Sequence, residues 1–338
     1  MKTTIYKTIF IFLTGLSVVL LFDACDREPV VPEDETRNKL HEDPARITLR
    51  LVECHLHAGW DEIQEVGGLH QNPESPARYM KRVQDITYKL EAGHGWMLAV
   101  DSRSKFYVQK NGEYRSGNKF TPGPVYLLFI YYYNARGELM NGQFVENGQD
   151  NIHQHFFTPE NVRPTFDGRM EVDDDDPAKL IDYLYADTTP WDGSRHGDGA
   201  EITGDNNPVG LKGVVRFLKE RKEFNLRVRL YHGYQSKSNP KTGSFDPFYM
   251  PSGVLVQRGT WDINLSIPVV VFWSREETVD VDDGTNLEEV GEDSLDEGSN
   301  RTIHSIMRTF GLSWKEALEE FVTYTYRSGD AEGGAVWL

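Results

Sequence analysis

Apolar and polar residues alternate with a period of two over residues 46–57, and this pattern constrains the fold more than any other feature of the chain. Ile47, Leu49 and Leu51 occupy alternate positions. Residues two apart in a strand point to the same face of a sheet, so these three predict a strand with an apolar inner face. Further short apolar or alternating runs predict strands at 96–100, 105–108, 125–133, 214–218, 224–231 and 267–273.

The fold class predicted from these runs is mainly β, with one or two antiparallel β-sandwich domains of immunoglobulin or transthyretin type. Residues 49–55 align with residues 226–232, which pairs His55 with His232 and suggests an internal duplication. The predicted domains then span 44–170 and 178–275. Before residue 300, the best candidate for a helix is the segment 76–90.

The C-terminal part has a different character. Residues 276–297 hold eleven Asp or Glu and no Lys or Arg, so 276–299 is predicted to be a solvated acidic linker. In the tail 300–338, apolar residues recur at helical spacing, and Ser313-Trp-Lys-Glu316 has the pattern of a capping box that opens a second helix. We expect this helical tail to dock on its own body; an envelope partner protein is the alternative.

The first candidate site is a His-x-His step at the end of the first strand. The inner face continues beyond Leu51 as Glu53, His55 and His57. Burying a carboxylate and two imidazoles is costly unless they are paired or share a ligand. A transition metal would bind neutral imidazoles, and the carboxylate would bind it or orient a ring. The alternative is a rim cluster of hydrogen-bonded histidines.

A second His-x-His step, His153 and His155, follows a polar loop. If the two steps meet, they form a five-residue metal site of Glu53, His55, His57, His153 and His155. Imidazole and carboxylate ligands favour zinc or copper, with haem as a less favoured ligand. Cys54 alternates with these residues and is expected to be a small buried apolar side chain.

The N-terminus has the features of a targeting segment. Lys2 and Lys7 precede the apolar run 9–22, and Phe22-Asp-Ala-Cys25 resembles a bacterial lipobox. The resemblance implies a signal peptide over 1–24, lipidation of Cys25, and a tether over 25–43 that holds the protein on the cell envelope, at the outer membrane or cell surface. A secreted protein cleaved near this position is the alternative. The net charge of −17 argues against nucleic acid as a partner.

The segment Leu51-Val-Glu-Cys-His-Leu-His57 is similar to the opening strand of amidohydrolase-type metal enzymes, where His-x-His holds zinc. That family requires a β/α barrel, and the following residues lack its alternating helices. A carbonic-anhydrase-like use of His-x-His suits the β content better. The favoured function is a lipoprotein that binds a metal or a metal-bearing ligand. The alternatives are a metal-free adhesion, glycan-binding or assembly module, and a zinc-dependent hydrolase or lyase.

Overall fold

A computed structural model describes residues 41–56, 59–63, 68–71, 83–111, 114–116, 119–121, 124–165, 168–274, 285–326 and 335–338. Strands make up most of its regular structure, as the alternation predicts. They are β1 Arg46–Leu56, β2 Gly68–Gln71, β3 Val83–Glu91, β4 Gly95–Leu98, β5 Phe106–Lys110, β6 Tyr114–Ser116, β7 Lys119–Thr121, β8 Pro124–Tyr133, β9 His153–Pro164, β10 Ile181–Tyr185, β11 Thr188–Thr189, β12 Glu201–Ile202, β13 Lys212–Phe217, β14 Lys222–Gly233, β15 Gly259–Ser274 and β16 Ala335–Trp337.

The described helices are few and short before residue 297. The α-helices are α1 Pro177–Leu180, α2 Gly253–Val256, α3 Glu297–Phe310 and α4 Trp314–Tyr326. Short 3-10 segments occur at Trp60–Glu62, Asn141–Phe144, Glu146–Asn151, Leu287–Glu289 and Glu292–Ser294. The helix predicted over 76–90 is wrong where it can be compared, because residues from Val83 onward form β3, antiparallel to β1.

One large sheet contains twelve strands, in the order β16-β2-β1-β8-β13-β5-β15-β14-β9, with β3, β4 and β10 attached to its side. Most pairs are antiparallel, but β5 lies parallel to both β13 and β15. The sheet is therefore mixed and not purely antiparallel. Strands from both predicted domains, 44–170 and 178–275, belong to it, since β8 pairs with β13 and β9 with β14.

The main core lies on the inner face that the sequence predicts. Ile47, Leu49 and Leu51 are buried there with residues from β8, β14 and β15. The other face of β1 is also covered, because Val52, Cys54 and Leu56 belong to a second cluster of buried residues. Cys54 is thus the small buried side chain that was expected.

The helical pair packs against the outer face of β15. Ile303 and Ile306 of α3 and Leu318 of α4 are buried together with Val270 and Phe272. The predicted capping box is formed, since the Ser313 backbone N–H donates to Glu316 and the Glu316 N–H donates to the Ser313 hydroxyl. The tail therefore docks on its own body. Among the described helices, none is both long and apolar enough to cross a membrane.

Candidate metal centre

His153 and His232 face each other across two neighbouring strands at one end of the sheet. His153 begins β9, and its backbone pairs with that of His232 on β14. The two ring centroids lie 4.5 Å apart. Directly opposite residues in an antiparallel pair project to the same face, so the pairing register alone brings the two imidazoles together.

Asp262 joins them through a β-bulge. The pairing of β14 with β15 runs from Leu230–Ile263 to Tyr231–Trp261 and skips Asp262. A bulge inserts one extra residue and shifts the alternation of side chains. For this reason Asp262 and its neighbour Ile263 both lie on the inner side, and the carboxylate reaches the histidines.

His41 completes the group from the segment that precedes β1. Its ring packs on Phe144 at 4.6 Å between centroids. The backbone N–H of the next residue, Glu42, donates to Gln143 Oε1 over 2.8 Å. These contacts hold a residue of the predicted tether against the body, and His41 is only 7 % exposed.

Four ligand atoms, one from each of His41, His153, His232 and Asp262, lie within 4.8 Å of one another. We call this group the histidine–aspartate cluster. His41 Nε2 lies 3.3 Å from His153 Nε2 and 3.4 Å from His232 Nδ1. Asp262 Oδ2 lies 3.1 Å from His41 Nε2, 3.1 Å from His232 Nδ1 and 3.7 Å from His153 Nε2.

Hydrogen bonds on the outer side of two rings decide which nitrogen carries the proton. His41 Nδ1 lies 2.9 Å from the Glu42 carbonyl, and His153 Nδ1 lies 2.9 Å from the Gln149 carbonyl. A carbonyl only accepts, so each Nδ1 carries a hydrogen and donates it. In the neutral rings, both Nε2 atoms then present lone pairs to each other and to the carboxylate. Such an arrangement can hold a cation between them.

The electrostatics of the cluster agree with this reading. Burial lowers the pKa of His153 and so favours the neutral ring that binds metal. Burial alone would raise the pKa of Asp262, but the three surrounding imidazoles outweigh burial and lower this pKa far below its usual value, since a proton on a ring nitrogen that faces Oδ2 is donated to the carboxylate. A bound metal ion would take the place of such a proton. Burial thus favours the neutral form of His153, while the Asp262 carboxylate stays charged.

The spacing fits a tetrahedral metal. Ligands about 2.0–2.1 Å from a tetrahedral zinc ion lie about 3.3 Å from one another, close to the five distances of 3.1 to 3.7 Å in the cluster. Phe144 contributes an apolar wall against His41 and His153. The outer nitrogen of the third ring, His232 Nε2, is buried without a hydrogen-bond partner among the described residues.

His155, the second histidine of its step, has a different environment. Its Nδ1–H donates to the Val209 carbonyl over 2.8 Å, and its Nε2 accepts from the Tyr132 hydroxyl over 2.5 Å. Burial lowers the pKa of His155 to about 3, so the ring is neutral. Both ring nitrogens are thus used by protein groups.

The first His-x-His step lies far from the second. His55 pairs with Pro124 at the start of β8, whereas the Tyr132 that contacts His155 lies eight positions further along β8. At about 3.3 Å per residue, that separation is about 26 Å. Glu53 is buried and His55 half-buried on β1, and among the described residues neither belongs to a group of potential metal ligands. His57 and Cys25 lie outside the described residues.

Of the predicted ligands that the structure describes, only His153 is in the cluster, and His41, His232 and Asp262 are not among the ligands that the sequence predicts. The alignment of 226–232 with 49–55 had already singled out His232 as the counterpart of His55. His41 follows a charged segment without periodicity, and strict alternation from Ile263 to Val271 would place Asp262 outside. No signal of local periodicity marks these last two residues.

A second group of potential ligands comprises Glu171, Asp173 and Asp174. Lys219 Nζ lies 3.0 Å from Glu171 and 2.8 Å from Asp174, and it also contacts Asp173. Lys222 Nζ lies 2.7 Å from Asp174. We call these five residues the acid–lysine cluster, and its cations are its own lysines.

No protein-family model, curated protein or solved structure matches the chain.

Proposed function

We propose that this protein is a cell-envelope lipoprotein that binds one divalent transition metal ion, zinc before others, at His41, His153, His232 and Asp262. The observation that carries the proposal is the convergence of the His41 and His153 Nε2 atoms, 3.3 Å apart, beside the Asp262 carboxylate. When both rings are neutral and their Nδ1–H groups donate to backbone carbonyls, these two Nε2 atoms carry lone pairs. Opposed lone pairs repel each other, and a metal ion turns the repulsion into coordination.

The shape of the cluster favours zinc over copper(II) or haem. A square-planar copper(II) site has two long diagonal distances and four short edges. The five distances of 3.1 to 3.7 Å are instead nearly equal, as in a tetrahedron. A haem iron takes protein ligands only above and below its ring, and four donors this close together leave no space for a porphyrin.

The ion has a structural role in this proposal. Structural zinc sites have four protein ligands, whereas catalytic ones keep a position open for water or substrate. Here three imidazoles and a carboxylate converge, and the four side chains are at most 6 % exposed. Through His153, His232 and Asp262, the ion joins three strands of the sheet to His41.

Lipidation of Cys25 and attachment to the cell envelope complete the proposal. They are supported by the lysines, the apolar run and the Phe22-Asp-Ala-Cys25 segment of the N-terminus. In the proposed lipoprotein, residues 26–40 connect the lipid-bearing Cys25 to His41 along the chain. The membrane is then the partner of the N-terminus, and the acidic composition argues against nucleic acid.

Metal analysis of the purified full chain tests the site. We expect about one zinc ion per chain and a melting temperature that falls by about 6 °C on chelation, which corresponds to metal present at about a thousand times its Kd. His94→Ala, at an exposed turn histidine, should leave both values unchanged. Substoichiometric metal together with unchanged melting on chelation would contradict the proposal.

A further inference from the structure

A cavity of about 300 Å³ lies beside the histidine–aspartate cluster, on the other side of the 3-10 segment Glu146–Asn151. Gln149 of this segment accepts the His153 Nδ1–H, whereas Glu146 and Asp150 of the same segment line the cavity. The volume is at the lower end of the range of ordinary ligand pockets, about 300–1,000 Å³, and suits a molecule of the size of a monosaccharide or an amino acid.

The charged groups at the floor of the cavity serve the fold. Asp187 accepts four backbone N–H groups, those of residues 209–212. Lys212 Nζ donates to the Thr188 hydroxyl and to the Gly193 carbonyl. The two charges are of opposite sign, so the floor is close to neutral.

The wall and the rim carry an excess of negative charge. Asp150 accepts a hydrogen bond from the Asn207 amide over 2.6 Å, and the side chains of Glu146 and Asp192 are exposed at the rim. Lys237 lies behind the wall, and its ammonium donates to the carbonyl oxygens of Asp150, His153 and Pro208. With Lys237 counted as charged, three carboxylates face one ammonium, which leaves an excess of two negative charges.

Trp191 gives the rim an aromatic side. A Cβ added at Gly142 would come 2.6 Å from Glu146 Oε1 and 3.4 Å from Trp191 Nε1. The absence of a side chain at Gly142 therefore leaves room for the carboxylate and the indole to lie at the same wall. A carboxylate beside an indole is a combination that attracts organic cations, through ion pairing and through the face of the ring.

We propose that this cavity binds a small organic cation that bears a protonated amine, with Glu146, Asp150 and Asp192 as its anionic partners and Trp191 as its aromatic contact. Anionic ligands such as phosphates are excluded by the excess negative charge. The proposal does not depend on the metal, because the residues that line the cavity are not those of the histidine–aspartate cluster.

Three probes test the charge requirement in the metal-loaded full chain. Glucosamine at pH 6.5 is a cation of monosaccharide size, glucose has the same ring without the charge, and agmatine has the charge without the ring. Calorimetric titration should show binding of glucosamine and agmatine and at least tenfold weaker binding of glucose. Equal binding of glucose would overturn the proposal in favour of a neutral sugar site, and binding of none of the three would overturn it entirely.

Variants test the location. Glu146→Gln combined with Asp192→Asn should raise the Kd for glucosamine about tenfold, and Trp191→Ala should raise it about threefold. The matched control is Glu91→Gln with Asp101→Asn, which removes two exposed carboxylates outside the cavity and should leave the Kd unchanged. Melting temperature and metal content, measured in every variant, show whether the fold and the metal site persist. An unchanged Kd in the rim variant would overturn the proposal and leave the metal proposal standing.

Discussion

The histidine–aspartate cluster and the acid–lysine cluster both gather potential metal ligands, but they differ in where the balancing positive charge comes from. In the acid–lysine cluster, Lys219 and Lys222 point their ammonium groups at the carboxylates. In the histidine–aspartate cluster, three imidazoles surround the Asp262 carboxylate, and the Nδ1 atoms of His41 and His153 face backbone carbonyls, so that their Nε2 atoms face the centre.

This difference shows that a list of acidic residues and histidines does not define a metal site. Carboxylates beside a lysine form ion pairs with a cation of the protein itself, and their cluster adds to the stability of the fold. Imidazoles whose outer nitrogens donate to backbone carbonyls have their inner nitrogens free for an external cation. The hydrogen-bond partners on the far side of the His41 and His153 rings are thus the most informative feature of the site.

The largest effect is expected from removing two imidazoles. His153→Ala with His232→Ala should weaken zinc binding at least a thousandfold, because loss of a single partner group behind a ligand already costs about 10- to 100-fold. Metal analysis should find less than 0.1 ion per chain, and the melting temperature should no longer respond to chelation. Retention of a full equivalent of zinc in this variant would place the metal elsewhere.

In the acid–lysine cluster, Asp174→Asn should lower the free energy of unfolding by about 3 kcal/mol, since it leaves the buried Lys222 ammonium without its charged partner. Denaturant titration measures the loss, which should be the same with and without a chelator. Asp175→Asn, at the exposed neighbouring residue, is the matched control and should cost less than about 0.5 kcal/mol. A chelator-dependent loss would show that this cluster also binds metal.

The pH dependence of stability separates the clusters further. Burial alone would raise the pKa of Asp174, but hydrogen bonds from Lys219 and Lys222 outweigh it and bring this pKa to about 2 from an ordinary 3.8. Because the folded pKa lies below the unfolded one, the stabilisation is complete above pH 4 and is lost as the pH falls from about 4 to 2. The loss amounts to about 2 kcal/mol.

Denaturant titrations of the chelated protein between pH 5 and pH 2 measure this effect. In the Asp174→Asn variant, the free energy of unfolding should fall less steeply with decreasing pH, since the variant has no carboxyl to protonate at this position. If the free energy of unfolding of the wild type falls no more steeply with decreasing pH than that of the variant, the lysines do not stabilise the Asp174 carboxylate.

The smallest effect is expected at the first His-x-His step. His55→Ala should leave the zinc content of the chain unchanged, because His55 lies about 26 Å along the sheet from the second step. Metal analysis of this variant, run in parallel with the double variant His153→Ala, His232→Ala, checks this expectation. A loss of zinc in the His55 variant would restore the five-residue site that the sequence predicts.

Local patterns predicted the parts of the fold that depend on near neighbours. The period-two alternation located β1 and its inner face, and the Ser313–Glu316 box located the start of α4. His153 was selected as a candidate ligand because two histidines in a short step are visible without any knowledge of the fold. His155 belongs to the same His-x-His step, but both of its ring nitrogens are hydrogen-bonded, one to the Tyr132 hydroxyl and one to the Val209 carbonyl.

By itself, the sequence determined that the chain is mainly β, that a pair of helices follows the acidic segment near the C-terminus, and that histidines project from the inner face of a strand. These properties follow from side-chain periodicity and helix capping, which act over a few residues. Only the tertiary structure decided which side chains meet. His41 comes from a segment without periodicity, His232 from the pairing register of β14, and Asp262 from a bulge that reverses the alternation of β15. Register and bulges depend on how distant strands pair, and no local pattern encodes that choice.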